Sequence, residues 1–240
     1  MPTSPHPAER RHHALVRVTH WLTFIAFVAL LITGAEIIVS HPRFYWGETG
    51  NVNLHPLFTI PIPASRGTVP THFHFVMPDQ NGWSRALHFQ AAWLAVLTGL
   101  LYVAYIFWTG HLRRNLLPPR GHRSWSAIRA VIIPYLLRTP PTDAATYNTV
   151  QRLAYLSVIF ILFPLVILTG LALSPAFNSA VPFAVNALGG RQSARTLHFF
   201  ISAAILLFVI VHVVMVSLHG LRARSLAMLT GRPHATKDKA

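Results

Sequence analysis

Four long apolar runs, about Trp21 to Val39, Ala86 to Trp108, Val150 to Leu173 and Thr196 to Leu218, dominate the chain and are separated by basic, proline-containing stretches. Each approaches the roughly 20 apolar residues that a helix needs to cross a hydrocarbon core. Pro164 falls inside the third run, a position tolerated in membrane helices because neighbouring groups re-satisfy the freed carbonyl. The pattern predicts an all-α integral membrane protein. Its four-helix transmembrane bundle has helices at about 18–39, 86–108, 150–173 and 196–219, in a single domain over 1–240.

Composition leaves little alternative. With 52% hydrophobic and 11% charged residues, and a mean hydropathy of +0.45, the chain has too few charges to cover a soluble globule. Of its 20 lysines and arginines, 15 lie in the N-terminal segment, the loop between helices two and three (109–149, with Arg152) and the C-terminal tail. Basic residues are retained on the cytoplasmic side, which predicts cytoplasmic termini, a basic cytoplasmic loop at 109–149 and a long periplasmic loop at 40–85. The same placement accounts for the net charge of +14 through topology and contact with anionic membrane lipid, so nucleic acid is not an expected partner.

Cysteine is absent, which excludes disulfides, iron–sulfur ligation, covalent haem attachment and thiol catalysis. The N-terminal apolar run is longer than a signal-peptide core and has no clear cleavage site, so it is expected to remain as a signal anchor. The loop at 40–85 is rich in proline, glycine and aromatics and is expected to fold as a cap. Ala127 to Leu137 reads as a short interfacial helix. The outer connection after the third helix reads as a second cap element, and Trp21, Trp83, Trp108 and Trp125 as an interface belt.

Histidines carry the candidate chemistry, because an ionisable ring inside a membrane span is expensive. On the predicted topology His20 begins helix one on the inner side, while His88 and His198 begin helices two and four on the outer side. His212 lies about 21 Å further along helix four than His198. Fourteen residues fall about 40° short of four full turns, so His198 and His212 emerge on nearly one face. Bis-histidine haem needs two imidazoles at one depth on different helices, which pairs His20 with His212 and His88 with His198. Two b-type haems are therefore the expected cofactors, stacked closely enough for electrons to tunnel across the membrane.

Arg17, Arg85 and Arg195 each precede one of these histidines by three residues, a spacing that suits pairing with haem propionates. Gly34 and Gly99 stand at the depth of the opposite haem and read equally as space for a macrocycle or as close helix packing. Helix three starts with Arg152 and offers no ligand, which suits a packing role. His219, seven residues beyond His212, is a candidate to hydrogen-bond a quinone, with a plain interfacial histidine as its other reading; Glu36 is equally open. His6, His12, His13, His111, His122 and His234 are expected to be solvated, and His72 with His74 is too small a set for a metal site.

The segment Arg17-Val18-Thr19-His20-Trp21 leading into a long apolar helix, the outer His88, and the His198/His212 pair on the last helix resemble the bacterial cytochrome b561 superfamily across all four spans. That superfamily includes the cytochrome b subunits of hydrogenases, formate dehydrogenases and thiosulfate reductases. The resemblance implies a di-haem cytochrome b domain of four or five helices in the bacterial cytoplasmic (inner) membrane. It also implies electron exchange between the quinone pool and a periplasmic redox partner, with ligands from helices one, two and four. Tyr45, Trp46 and Gly47 resemble the corresponding loop of members that accompany a periplasmic molybdopterin oxidoreductase. No nucleophile, carboxylate pair or phosphate loop suggests other chemistry, so the expected activity is that of an electron-transfer subunit in a membrane oxidoreductase complex. A self-contained quinone-linked enzyme, such as a superoxide oxidase or ferric reductase, and a haem-free transporter or scaffold stand as the alternatives.

Overall fold

The computed structural model describes residues 13–51, 53–62, 82–119, 124–137, 149–218 and 220–231. Its long helices are α1 (Ala14–Ser40), α2 (Gly82–Trp108) and α8 (Arg191–Leu218), with a third span over Thr149–Ala172 made of α4 (Thr149–Ser157), a π-helical turn (Val158–Leu162) and α5 (Phe163–Ala172). These four are long and apolar enough to cross a membrane. Ile25, Ile32, Leu100 and Leu207 stand exposed, while the buried polar groups include the hydroxyls of Thr33, Thr98, Thr169 and Thr196. That inside-out distribution suits a lipid solvent, which exerts no hydrophobic force between helices and favours small or hydroxyl-bearing contacts.

All four spans except the third start four to seven residues before the apolar runs, because polar residues such as Arg17, Arg85 and Arg195 continue the helix beyond the hydrocarbon. The π turn in the third span has a local cause. Pro164 has no N–H to give the carbonyl four residues back and its ring crowds that carbonyl. The widened turn just before it relieves the crowding, and the N–H of Phe163 bonds instead to Val158 O.

Packing divides the chain into two units, one of Met1–Thr23, Thr98–Tyr155 and Leu207–Ala240, the other of Phe24–Leu97 and Leu156–Leu206. In the second unit, the described part of the 40–85 loop forms a short antiparallel ladder of β1 (Arg43–Phe44) and β2 (Phe58–Thr59). Phe44 stacks on Phe58 at 4.6 Å between ring centroids and meets Phe199 of α8 at 4.7 Å. The next residues dock on the start of α8. Gly47 O accepts from Gln192 N and Ser193 N, Gly47 N donates to Ser193 Oγ at 2.7 Å, and Thr196 Oγ1 donates to Tyr45 O. Arg191 N donates to the Glu48 carboxylate at 2.8 Å, so an anion sits at the positive end of a long helix.

The connection after the third span forms two short helices, α6 (Pro175–Ala180) and α7 (Pro182–Ala187), each with proline in its first turn. Ala172, Val185 and Ala194 bury together there, with Leu173, Phe177 and Leu188 packed around them.

In the first unit, α3 (Trp125–Leu136) occupies the stretch expected to be an interfacial helix. The terminal α9 (Leu221–Thr230) has no counterpart in the apolar pattern; it is bounded by Gly220 and Gly231, both at positive φ. Exposed Trp108 and Trp125 fit an interface belt, whereas Trp21 directs Nε1 to Met228 O of α9 at 3.4 Å.

Candidate functional site

The four histidines singled out by depth meet in two pairs, one in each unit. In the first, His20 of α1 and His212 of α8 have ring centroids 6.5 Å apart with planes inclined at 53°. In the second, His88 of α2 and His198 of α8 have centroids 6.3 Å apart, inclined at 67°. Metal–imidazole bonds of about 2 Å on either side of one ion put the two ring centres roughly 6 Å apart, so both separations fit a shared metal. Rotation of either ring about its metal–nitrogen axis leaves that fit unchanged.

The surroundings of the two pairs differ in kind. Phe208, one turn before His212 on α8, lies nearly parallel to its ring at 6.0 Å, and Tyr155 of α4 meets it edge-on at 6.3 Å. Trp21 sits edge-on to His20 at 5.3 Å. Around His88 and His198, hydroxyls replace aromatics. Thr33 Oγ1 lies 2.8 Å from His88 Nδ1, and Thr169 Oγ1 lies 3.1 Å from His198 Nδ1, which also reaches Val166 O at 3.1 Å. Both threonines are fully buried.

The two glycines following those threonines make room for the rings. A Cβ on Gly34 would lie 3.6 Å from His88 Cε1, and one on Gly170 would lie 3.3 Å from His198 Cε1. Gly34 thus abuts the His88 ring directly, while a Cβ on Gly99 would meet nothing within 4 Å. The packing role anticipated for the third span is therefore too narrow. Without supplying a histidine, it gives Val166, Thr169 and Gly170 to His198 and Tyr155 to His212. Sequence reasoning missed Thr169 and Gly170. Their signal was present as a Thr–Gly pair repeated within three spans, at Thr33-Gly34, Thr98-Gly99 and Thr169-Gly170.

Each of the three arginines has a distinct setting. Arg195 donates through Nη2 to Arg43 O, and its guanidinium carbon lies 5.0 Å from the centre of the Phe44 ring. Arg17 donates through Nη1 to Leu229 O and packs beside Gly231 at the end of α9. In both, Nε is buried and has no hydrogen-bond partner among the described residues. Arg85 is exposed.

His219, the candidate quinone contact, lies outside the described residues, as do His72 and His74. Among the described residues no cluster of three or more histidines and carboxylates forms a further metal site. His111 departs from the solvated state expected of it. It packs against Tyr105 at 5.9 Å between ring centroids, with Nδ1 2.8 Å from Asn115 Nδ2. Burial pushes its imidazole below the usual histidine value, and Arg114 nearby acts in the same direction.

Comparison with known proteins supplies a frame for this arrangement. The family model for prokaryotic cytochrome b561 matches residues 11–231. The chain is also 32% identical over 211 residues to the "Putative protein-methionine-sulfoxide reductase subunit YedZ1" of Azospira oryzae, an alignment covering 86% of this chain and 90% of that protein.

Proposed function

Because the chain belongs to the prokaryotic cytochrome b561 family, we infer that it is a di-haem membrane subunit that passes electrons between the quinone pool and a catalytic redox partner. His20 and His212 are the axial ligands of one b-type haem, and His88 and His198 those of the other. The observation that carries this reading is the meeting of four histidines from three spans in two pairs, 6.5 and 6.3 Å between centroids, each spacing that of imidazoles flanking one iron.

Bound haem supplies one-electron exchange at iron. The chain's own residues hold the imidazoles at fixed separation, exclude water and set the surrounding charge. The Nε donors of Arg17 and Arg195 are suited to receive propionates, and Arg85 lies one turn ahead of His88 for the same purpose.

The distribution of lysine and arginine supports cytoplasmic termini in the bacterial inner membrane, with the loop at 40–85 and the His88/His198 haem toward the periplasm. Quinone then exchanges electrons near the His20/His212 haem, where His219, seven residues beyond His212, is the candidate to hydrogen-bond it. The relative's name as a reductase subunit supports a separate catalytic protein, and we place its docking at the outer face near Tyr45, Trp46 and Gly47. A periplasmic molybdopterin oxidoreductase fits that position.

Haem stoichiometry tests the assignment. Purified protein is expected to hold two haems per chain, and His212→Ala and His198→Ala each to hold one. A colourless preparation, or two haems retained in either variant, overturns it. Co-purification after gentle solubilisation tests the partner.

A further inference from the structure

The hydrogen-bonding groups around His88 and His198 all lie on Nδ1 of each ring. Thr33 has one hydroxyl proton and directs it to its own helix, to Ala29 O at 2.7 Å with Leu30 O further away at 3.3 Å. With that proton on Ala29 O, the Thr33 oxygen accepts from the nitrogen 2.8 Å away, the arrangement in which His88 carries its proton on Nδ1. The same holds for His198. Thr169 gives its proton to Leu165 O at 2.8 Å, and Val166 O, which has no proton to give, also lies 3.1 Å from His198 Nδ1. Two independent acceptors thus require Nδ1–H on that ring.

The glycines complete the lock. Gly34 and Gly170 lie against the Cε1 edges of the two rings, where a side chain would press on the imidazole. With Nδ1 held by a threonine and Cε1 against a glycine, Nε2 is left as the lone-pair nitrogen of each ring.

We propose that Thr33 and Thr169 are positioning residues for His88 and His198, acting through Nδ1 to present Nε2 to iron and to raise the electron-donating power of each imidazole. This rests on the ligand assignment above. A hydrogen bond accepted from the far side of a metal-bound imidazole makes the ring a stronger donor, which favours the oxidised metal. Loss of the bond therefore favours reduction. The two positions are not equivalent, because His198 keeps Val166 O when Thr169 is lost, whereas Thr33 is the one hydrogen-bond partner of His88 among the described residues.

The test is a redox titration of full-length protein in detergent, with haem per chain measured in parallel, on Thr33→Val, Thr169→Val and the corresponding serine variants. Thr33→Val is expected to raise the reduced-to-oxidised ratio of the His88/His198 haem about fivefold at a given potential, the ratio carried by roughly one net hydrogen bond. Thr169→Val gives a smaller change in the same direction, and serine at either position restores the wild-type titration. If valine prevents loading of that haem, restored loading in the serine variant supports the same role. Wild-type titration in both valine variants at full loading, or failure of serine to rescue, overturns the proposal. The ligand assignment fails separately, if His88→Ala or His198→Ala retains both haems.

Discussion

Gly190 approaches Gly47 backbone to backbone, so closely that a Cβ on Gly190 would lie 2.7 Å from the Gly47 carbonyl carbon and 2.8 Å from its oxygen. That oxygen is the one receiving the N–H groups of Gln192 and Ser193, which anchors the 40–51 segment on the first turn of α8. Since α8 carries both His198 and His212, the docked loop fixes the start of the helix on which both pairs depend.

Gly190→Ala is therefore expected to destabilise the protein. At φ +100° an L-residue is strained by about 1–3 kcal/mol, and the clash is with backbone that cannot rotate away. Thermal unfolding in detergent, followed by haem absorbance, should show a lower midpoint with an unchanged spectrum before unfolding. A midpoint equal to wild type would mean that the loop yields without cost.

Arg195→Ala is expected to shift the potential of the His88/His198 haem downward, because a positive charge near a propionate favours the reduced form. The guanidinium already donates to Arg43 O and lies over Phe44, so the alanine variant also loosens β1. Arg195→Lys separates the effects: it keeps the charge but loses the planar fork. A redox titration in which lysine recovers most of the potential, alongside a stability loss shared by both variants, is the expected outcome.

Much of the architecture was legible because lipid imposes a simple rule on the chain. Apolar runs of sufficient length mark the spans, and counting residues from their ends gives the depth of each ring, which is why His20 can be matched with His212 from sequence. The helix starts at Ala14, Gly82 and Arg191 were less visible, since polar residues at a water boundary extend a helix without an apolar signal. Thr33 and Thr169 were missed for a different reason. A hydroxyl within an apolar run can bond to its own helix and so needs no partner, and only the fold shows that each oxygen also meets a histidine nitrogen. The docking of Gly47 on α8 joins segments more than 140 residues apart, and no local pattern encodes such a contact.

Gly99 faces open space on α2. It follows Thr98, whose hydroxyl lies 3.0 Å from that of Thr23, three residues after His20. Among the described residues nothing lies within 4 Å of a Cβ at this position. On the proposed assignment that open side belongs to the His20/His212 haem. Gly99→Val is expected to lose the His20/His212 haem while retaining the other, and Gly34→Ala, whose Cβ would make only ordinary contact with His88, to retain both. Two haems per chain in Gly99→Val would place Gly99 toward lipid.

Arg17 ties α9 to α1 through Leu229 O, and Trp21 adds Nε1 to Met228 O one turn further along α1. Both bonds reach carbonyls in the last turn of α9, where helix acceptors lack intrahelical partners and a cation is favoured. Removing the guanidinium leaves one such carbonyl without its donor, a loss of roughly 1.5–3 kcal/mol for a charged hydrogen bond, less where water replaces it. Because α9 has little apolar character of its own, that loss should release it before any other helix. Arg17→Ala is expected to raise the rate of tryptic cleavage at Arg222 and Arg224 about tenfold in intact detergent-solubilised protein, with Arg17→Lys intermediate. Equal cleavage rates in Arg17→Ala and wild type would show that α9 is held by contacts other than these two bonds.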